Sequence, residues 1–433
     1  MKLFLPIFLI AFLVRLIPFS YVAYNNPEGL ILFDSEGYLN LAENINTHQI
    51  FSRANSTQQL TPDISRTPIF PLFLSGIKIF SNSNIVICFI LVLIGSINAI
   101  LTFKLCLLAF NNQKIARLAA LLVAIDIPSI YFSSVIMTET LFSTLLVLGI
   151  FLFMKREITT WNYLLSGFIF SLAILCRPIA IFLPLLLLTI MLARTETLKK
   201  IAIFLFATYF LAGLWSYRNY KTFDTFQLSS IGAINLYFHT SASINAEIKN
   251  ITTHEAQANL KTQLQQARNW TGENYEIKHM IAYCYQNSLE TIKNHPLLFL
   301  KQSFIGAVYF FAKPIRNYLD LYFGVAKKSY SDIGEKKIQA NVWYKFISQT
   351  SSLTIILVFI QIVFNLIILL GLIYYLIKNL NNTSIQLFLG VIFYFVVTSM
   401  ITEVDGRFRV PVMPFIAILG SLGLYSFMCK RSS

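Results

Sequence analysis

The sequence predicts an all-α polytopic membrane protein. Apolar residues make up 56% of its 433 residues and charged residues only 12%, whereas an average soluble domain is about 25% charged. The mean hydropathy is +0.64. So little polar sequence could not cover the surface of a soluble globule of this size, which excludes an ordinary soluble enzyme. The apolar content equally excludes a disordered chain.

Runs of apolar residues mark the predicted transmembrane helices, because a helix needs about 20 apolar residues to cross a bilayer. About ten runs reach or approach this length. They cover residues 3–24, 84–109, 115–134, 138–154, 161–175, 179–193, 200–216, 353–377, 385–401 and 410–428. Two of the short runs flank Arg177-Pro178, and they form either two short helices that meet at a membrane surface or one long broken element.

The orientation follows from the basic residues, which give a net charge of +14. Short cytoplasmic loops are rich in Lys and Arg. Such loops alternate here in a pattern that places both termini in the cytoplasm: Lys2; Lys114 and Arg117; Lys155 and Arg156; Arg194, Lys199 and Lys200; Lys378; Lys430 and Arg431. Residues 25–83, 217–352 and 402–409 then lie at the non-cytoplasmic face.

This pattern divides the chain into three parts. Residues 1–216 form an N-terminal transmembrane module that includes the first outer loop at 25–83, which carries the candidate catalytic carboxylates described below. Residues 217–352 form an outer, mostly helical segment, and residues 353–433 contribute the C-terminal transmembrane helices. Within the outer segment, residues 295–314 are predicted to form an interfacial helix rather than a further span, because a further span would invert the basic-loop pattern.

The first outer loop carries two carboxylates, Asp34 and Glu36, directly after the first span. Asp34 precedes an amphipathic helical pattern, so one interpretation is a helix N-cap. The other interpretation is a general base held at the membrane surface. Glu36 lies near the same helix start, where a carboxylate is favoured by the helix dipole.

Arginines at the ends of the predicted spans converge on the face that carries Asp34. Charges at such positions are costly and need a reason. By the predicted topology this face receives one further carboxylate and five arginines: Glu139, Arg66, Arg177, Arg218, Arg407 and Arg409. The planar guanidinium group suits phosphate, so the cluster predicts a site for a phosphate-bearing lipid. Arg15 and Asp126 are interpreted instead as structural charges within the bundle.

The motifs around these residues resemble the GT-C glycosyltransferases, in particular the bacterial relatives of protein O-mannosyltransferases and lipid A aminoarabinose transferases. The resemblance covers most of the chain in order. It rests on Asp34-Ser-Glu-Gly-Tyr38, Arg66-Thr-Pro-Ile-Phe-Pro71, Thr138-Glu139-Thr-Leu-Phe142, Cys176-Arg177-Pro178, Trp215-Ser-Tyr-Arg218-Asn219-Tyr220 and Arg407-Phe-Arg409-Val-Pro411. Eukaryotic mannosyltransferases carry adjacent acidic residues in the first loop, whereas Ser35 separates them here.

The resemblance implies a GT-C fold with outer-face juxtamembrane helices and a sugar transfer from a polyprenyl-phosphate-linked donor to a lipid, glycan or protein acceptor. Asp34 would act as the general base of an inverting reaction, and Glu36 and Glu139 would orient the acceptor or a metal. Arg407 and Arg409 would contact the donor phosphate first, and Arg66, Arg177 and Arg218 second. The implied place is the non-cytoplasmic face of a bacterial cytoplasmic membrane.

The sequence predicts no metal site and no required cofactor. A divalent metal is compatible with it, with His48, His239, Glu36 and Asp63 as available ligands, but no ligand spacing supports a site. The five cysteines have no paired spacing, so no disulfide is expected, and Cys284 is expected to be an exposed thiol.

Two other classes compete with the glycosyltransferase. One is a transporter or flippase of a lipid-linked sugar, which would need polar residues along a path through the bilayer. The other is an O-antigen ligase or polymerase, which usually places its key residues in one large outer loop. The ionisable residues gather at one face and Asp34 directly follows the first span, so both features favour the glycosyltransferase.

Overall fold

The structure is a computed structural model, which describes residues 4–55, 57–155, 159–270, 277–325, 351–402 and 405–431. Over these ranges the secondary structure is helical and contains no strand. The predicted all-α class is therefore confirmed. Parts of the predicted loops, namely residues 156–158, 326–350 and 403–404, lie outside the described residues.

The first half of the chain forms ten helices and two short 3₁₀ turns. They are α1 (Phe4–Asn25), a turn at Pro27–Leu30, α2 (Phe33–His48), α3 (Ile69–Lys78), α4 (Asn84–Phe110), α5 (Gln113–Ile125), α6 (Ile127–Phe132), α7 (Glu139–Phe153), α8 (Thr160–Cys176), a turn at Pro178–Ala180, α9 (Leu183–Ala193) and α10 (Leu198–Phe223).

The second half contains the predicted outer segment and the last apolar helices. Its described elements are α11 (Ile231–Asn235), a π-helical turn at Leu236–Ser241, α12 (Ala242–Lys249), α13 (Thr253–Trp270), α14 (Ile277–Asn294), α15 (Pro296–Ala312), α16 (Arg316–Tyr322), α17 (Ser352–Asn379), α18 (Thr383–Thr402), a 3₁₀ helix at Gly406–Val412 and α19 (Met413–Arg431).

Six stretches of the described chain are long and apolar enough to cross a membrane: α1, α4, α10, α17, α18 and Gly406–Cys429. Shorter apolar helices, among them α7 and α8, lie between them. The predicted runs thus correspond to helices, whereas the number that cross the membrane stays a prediction.

Two sequence signals break the predicted runs. The run predicted at 115–134 is divided at Asp126, whose carboxylate accepts a hydrogen bond from the backbone N–H of Ser129 (3.0 Å) and so caps α6, with Pro128 in its first turn. At Arg177 the backbone is extended, and Pro178 follows it. Of the two alternatives for residues 161–193, the structure therefore has two separate helices, because an extended residue before proline ends α8.

The apolar helices form one packed bundle. α1 packs on α4, α4 on α5 and α7, α7 on α8, and α8 on α10, while α19 lies between α17 and α5. At one end of this bundle Lys200 and Tyr163 bind Glu196, and the Arg194 guanidinium lies over the ring of Phe153. The first turn of α7 and the last turn of α8 lie at the opposite end.

The outer segment has a small apolar core of its own. Ala256 and Leu260 of α13 pack with Ile281 and Cys284 of α14. α15 then runs along α18 and ends against the 3₁₀ helix at Gly406–Val412. Whether α15 is interfacial or a span stays a prediction.

The expectation that Cys284 is exposed is wrong. Its side chain is 0% exposed, because it lies on the face of α14 that packs on α13 and the π-helical turn. Burial also raises the pKa of this thiol to about 11. The exposed cysteine among the five is Cys429.

We therefore expect Cys284 to resist alkylation in the folded protein, since the thiolate is the reactive species and burial disfavours it. In a background without the other cysteines, maleimide labelling of Cys284 should be much slower than labelling of a Leu289→Cys variant. Leu289 is exposed on the same helix. Unfolding in detergent should make the two rates equal, and rapid labelling of folded Cys284 would contradict its burial.

The contact between α17 and α19 depends on glycines. A methyl group added at Gly423 would overlap the carbonyl oxygen of Gly371, and one at Gly420 would lie 2.6 Å from the Ile368 side chain. Small residues let two helix backbones approach closely, which is a main source of helix association in membranes. This contact holds the C-terminal helices together.

Gly423→Ala should lower the unfolding temperature of the protein in detergent, because α17 and α19 must separate to admit the methyl group. Overpacking of this kind costs about 1–3 kcal/mol. Gly213→Ala in α10 is the matched control, since no atom lies within 4 Å of a methyl group there. The control should leave the unfolding temperature unchanged or slightly higher. Equal behaviour of both variants would contradict the close packing.

Candidate active site

The first turn of α2 presents the Asp34 carboxylate. Ser35 satisfies the helix start instead: its hydroxyl accepts a hydrogen bond from the backbone N–H of Leu32 (2.8 Å) and donates one to the carbonyl of Ile136 (2.8 Å). The capping interpretation of Asp34 is therefore wrong. Because Ser35 supplies the cap, the carboxylate of Asp34 is directed to other partners.

Two arginines from distant parts of the chain bind Asp34. Arg66 Nη2 lies 2.6 Å from Asp34 Oδ1, and Arg407 Nη1 lies 3.5 Å from Oδ2. The Asp34 side chain is 28% exposed, so the cluster is half-buried and open to a ligand. Charge-assisted hydrogen bonds of this type are stronger than neutral ones.

The charge state of Asp34 follows from these partners. Burial alone would raise the pKa of the carboxyl group, but the positive charges of Arg66 and then Arg407 outweigh burial and hold the pKa below its usual value. Asp34 is therefore ionised at neutral pH. Tyr38, one helical turn later, is buried beneath it, and the Arg66 guanidinium lies 4.9 Å from the centre of its ring.

Local structure positions both arginines. The backbone N–H of Arg66 donates to Asp63 Oδ1 (2.9 Å), and Pro68 then opens α3. The backbone N–H of Arg407 donates to Asp405 Oδ1 (2.9 Å), and the Tyr318 hydroxyl donates to Asp405 Oδ2 (3.2 Å). Each arginine thus follows an aspartate that shapes its turn.

A second ion pair lies beside the first. Arg177 Nη1, in the turn between α8 and α9, lies 2.9 Å from Glu139 Oε1 at the start of α7. The Glu139 side chain is only 1% exposed. The ring of Phe408 joins the two pairs, since the guanidinium carbons of Arg407 and Arg177 lie 5.1 and 5.6 Å from its centre.

The structure places Arg409 inside the bundle rather than beside Asp34. Its side chain is 3% exposed, with Nη2 3.5 Å from Asp126 Oδ1 and Nη1 donating to the carbonyl of Phe311 (2.9 Å). Arg15 lies near the same carboxylate and donates to the carbonyls of Ala124 and Val123 at the end of α5. The structural interpretation of Arg15 and Asp126 agrees with these contacts.

Arg218 also has internal partners. It donates to the carbonyl of Asp63 (2.8 Å), and its guanidinium lies over the rings of Trp215 and Phe51 (5.0 and 5.6 Å). Arg218 therefore holds the first outer loop through the backbone of Asp63. Arg53 holds the same loop through a 2.5 Å contact to the Asp63 carboxylate.

Glu36 lies on the outer face of α2, in the wall of a cleft of about 530 Å³ that opens beside Asp34. It has no ion pair within the described part of the chain. Across the ranges that the structure describes, no group of three His, Cys, Asp or Glu side chains is placed to hold a metal ion. Asp63, one of the candidate ligands, is occupied by Arg53 and Ser65.

Residues 65–217 match the family of dolichyl-phosphate-mannose-protein mannosyltransferases. No curated protein is significantly similar in sequence to the whole chain. The structure is similar to that of the archaeal oligosaccharyltransferase AglB from Archaeoglobus fulgidus in complex with an inhibitory peptide and a dolichol-phosphate. The TM-score is 0.51 at 14% identity, over 99% of this chain and 50% of that one.

Two further structures of the Archaeoglobus fulgidus oligosaccharyltransferase are similar. The apo form gives a TM-score of 0.50 at 14% identity, and the form tethered to an acceptor peptide containing the NVT sequon gives 0.52 at 13% identity. Each match covers 99% of this chain, which spans about half the length of those enzymes. This chain has the GT-C superfamily fold. The predicted GT-C resemblance is thus confirmed at the level of the fold.

The matched GT-C segment contains Arg66, Glu139 and Arg177, while Asp34 and Arg407 lie outside it. The structure brings these five predicted residues to one face of the bundle and gives Arg409 and Arg218 internal partners. Their roles in catalysis and phosphate binding stay predictions. Phe408 is not among the predicted site residues, because its only signal in the sequence is its position between two arginines of the motif.

The lowered pKa of Asp34 predicts how stability depends on pH. An unfolded aspartate titrates near about 3.9, above the folded value, so the ion pairs stabilise the fold above that pH and are lost as the pH falls through the folded pKa. Between pH 7 and pH 3 the unfolding temperature of the wild type should therefore fall more than that of Asp34→Asn.

Glu36→Gln is the control for this comparison, because it removes a neighbouring carboxylate without breaking an ion pair of the described structure. It should keep the pH dependence of the wild type. If Asp34→Asn keeps it too, the pairing of Asp34 with Arg66 and Arg407 does not stabilise the fold.

Proposed function

We propose that the protein is an integral-membrane glycosyltransferase that moves a sugar from a polyprenyl-phosphate-linked donor to an acceptor hydroxyl, with Asp34 as the general base. The observation that carries this proposal is the position of Asp34, which is ionised, half-buried and held between Arg66 and Arg407. A base beside an electropositive clamp is what transfer from a phosphate ester needs.

The phosphate side of the site consists of Arg407, Arg66 and, beyond Phe408, Arg177. Guanidinium groups bind phosphate through paired hydrogen bonds and stay charged. They stabilise the phosphate as it leaves, so no acidic group has to protonate it. Arg409 and Arg218 are proposed to position this set without contacting the phosphate. The contacts of Arg409 hold the turn of Arg407, and those of Arg218 hold the loop of Arg66.

Donor binding also prepares the base. A phosphate competes with Asp34 for the N–H groups of Arg66 and Arg407. A carboxylate that shares these partners with a second anion is less stabilised, so its pKa rises and it accepts a proton more readily. The same two arginines thereby couple donor binding to activation of the acceptor.

The proposed chemical step is an inverting displacement. The acceptor oxygen attacks the anomeric carbon and forms the new glycosidic bond, the bond from that carbon to the phosphate oxygen breaks, and the phosphate leaves with the electron pair. Asp34 takes the proton of the acceptor hydroxyl. Phosphate is a good leaving group, which removes the need for the second acidic carboxyl of a glycosidase.

The comparisons support the donor class in broad terms. The matching family is described as dolichyl-phosphate-mannose-protein mannosyltransferases, and one similar structure is in complex with a dolichol-phosphate. The proposed mechanism requires no metal, because guanidinium groups supply the positive charge. Glu36 and Glu139 are proposed to orient the acceptor.

We place the site at the non-cytoplasmic face of a bacterial cytoplasmic membrane, in the cell envelope, with both termini in the cytoplasm. The support is the separation of charges along the bundle: the basic loops around Arg194 and Lys200 lie at the end opposite Asp34.

The test is glycosyl transfer by the purified protein in lipid nanodiscs supplied with polyprenyl-phosphate-linked sugars. Asp34→Asn should lower the rate by about 10²–10⁴-fold, the usual contribution of a general base. Arg407→Gln should raise the KM for the donor. Asp34→Asn that transfers sugar at the wild-type rate would overturn the base assignment.

Glu43→Gln is the matched control for Asp34→Asn. Glu43 is a carboxylate of the same helix that binds Lys78 of α3 (2.5 Å) on the side away from the site, so its loss should leave the rate unchanged. A wild type that moves the intact donor across the bilayer without transferring sugar would indicate a flippase instead.

A further inference from the structure

The cleft beside Asp34 has one wall from the first turns of α2 and one from the loop that precedes Arg66. Glu36 and Asn40 stand on the helix wall, and Asn55, Gln58 and Gln59 stand on the loop wall. Its volume of about 530 Å³ lies in the range of pockets that hold a small-molecule ligand. It is therefore large enough for about two sugar residues.

Only part of the proposed phosphate-binding set borders the cleft. Arg66 lines the cleft, but Arg407, Arg177 and Glu139 do not. Arg407 approaches Oδ2 of Asp34, and Arg66 approaches Oδ1. An in-line displacement needs the acceptor oxygen and the leaving phosphate on opposite sides of the anomeric carbon, and the cleft would let an acceptor reach Asp34 without passing Arg407 or Arg177.

The polar groups of the walls are available to a ligand. Within the described structure, the side chains of Gln59 and Glu36 have no hydrogen-bond partner. Asn40 uses its amide N–H₂ on the carbonyl of Arg53 (3.3 Å), so its oxygen is directed elsewhere. Asn55 uses its oxygen on Thr57 (3.2 and 2.8 Å), so its N–H₂ group is available. The walls thus present both donors and acceptors.

This lining selects against other acceptor classes. Apart from Phe33 and small apolar groups the walls are polar, so an acyl chain would find no apolar floor. Asp34, Glu36 and Asp63 outnumber Arg53 and Arg66, which disfavours an anionic acceptor. The described residues offer no strand edge for pairing with an extended peptide.

We infer that the cleft is the acceptor site and that the acceptor is a neutral glycan of about two sugar residues. Adjacent sugar hydroxyls both donate and accept hydrogen bonds, which matches side-chain amides that do the same. Phe33, 89% exposed at the rim, offers its ring to the apolar face of a pyranose. This inference rests on the proposed function, since it takes Asp34 as the base that the acceptor hydroxyl must reach.

Binding is tested directly, without turnover, by saturation-transfer NMR on the protein in lipid nanodiscs. The probes are maltotriose, a methyl mannobioside and diacetylchitobiose as neutral glycans, digalacturonate as an anionic glycan, and a threonine-containing tripeptide. At least one neutral glycan should bind, and Glu36→Ala/Gln59→Ala should weaken it about tenfold, since it removes two wall contacts. Gln263→Ala, which removes an exposed amide of α13 far from the cleft in sequence, should bind as the wild type does.

Three results would overturn the inference: no neutral glycan binds, glycan binding is insensitive to the double variant, or the tripeptide or digalacturonate binds instead and is lost in that variant. Donor turnover is measured on the same preparations. A protein that turns over donor but binds no glycan contradicts the acceptor assignment alone. A protein that binds glycan in the cleft but never turns over donor contradicts the proposed function.

Discussion

The pairing of Asp34 with Arg66 and Arg407 joins three parts of the chain that are remote in sequence. Each charge is partly withdrawn from water, so separation of the segments would leave an unpaired charge at the edge of an apolar bundle, which is costly. The surrounding details serve this cluster. Ser35 caps α2 so that Asp34 is directed to the arginines, and aspartates shape the turns from which both arginines extend.

The motif Arg407-Phe-Arg409 shows how one short segment serves both site and scaffold. It lies in a 3₁₀ helix, where residues two apart point about 240° apart around the axis. Arg407 therefore faces Asp34, while Arg409 turns into the bundle and meets Asp126, and Phe408 packs between Arg407 and Arg177. The buried Asp126 thereby fixes the position of the Arg407–Arg409 segment through Arg409, without contacting Asp34 or its partners.

The fold bears on the identity of the donor, whereas the cleft bears on the identity of the acceptor. The GT-C fold and the arginine cluster support the proposed lipid-phosphate donor, because the arginines belong to the ends of the bundle helices and their turns. The proposed acceptor side consists of α2 and a loop held by Arg53 and Arg218. Fold similarity carries little information about such a loop, so the acceptor has to be argued from the lining itself.

The sequence by itself predicted the helical class, the apolar helices of the bundle, the GT-C resemblance and the gathering of Asp34, Arg66 and Arg407 at one face. Apolar periodicity, proline breaks and basic loops are local signals, and they act through the length of each helix and its position relative to the bilayer. Only the tertiary structure decided which charges pair. Nothing local distinguishes Arg407 from Arg409, a capping Asp34 from one held by arginines, or an exposed Cys284 from a buried one, because each outcome depends on a neighbour supplied by a distant segment.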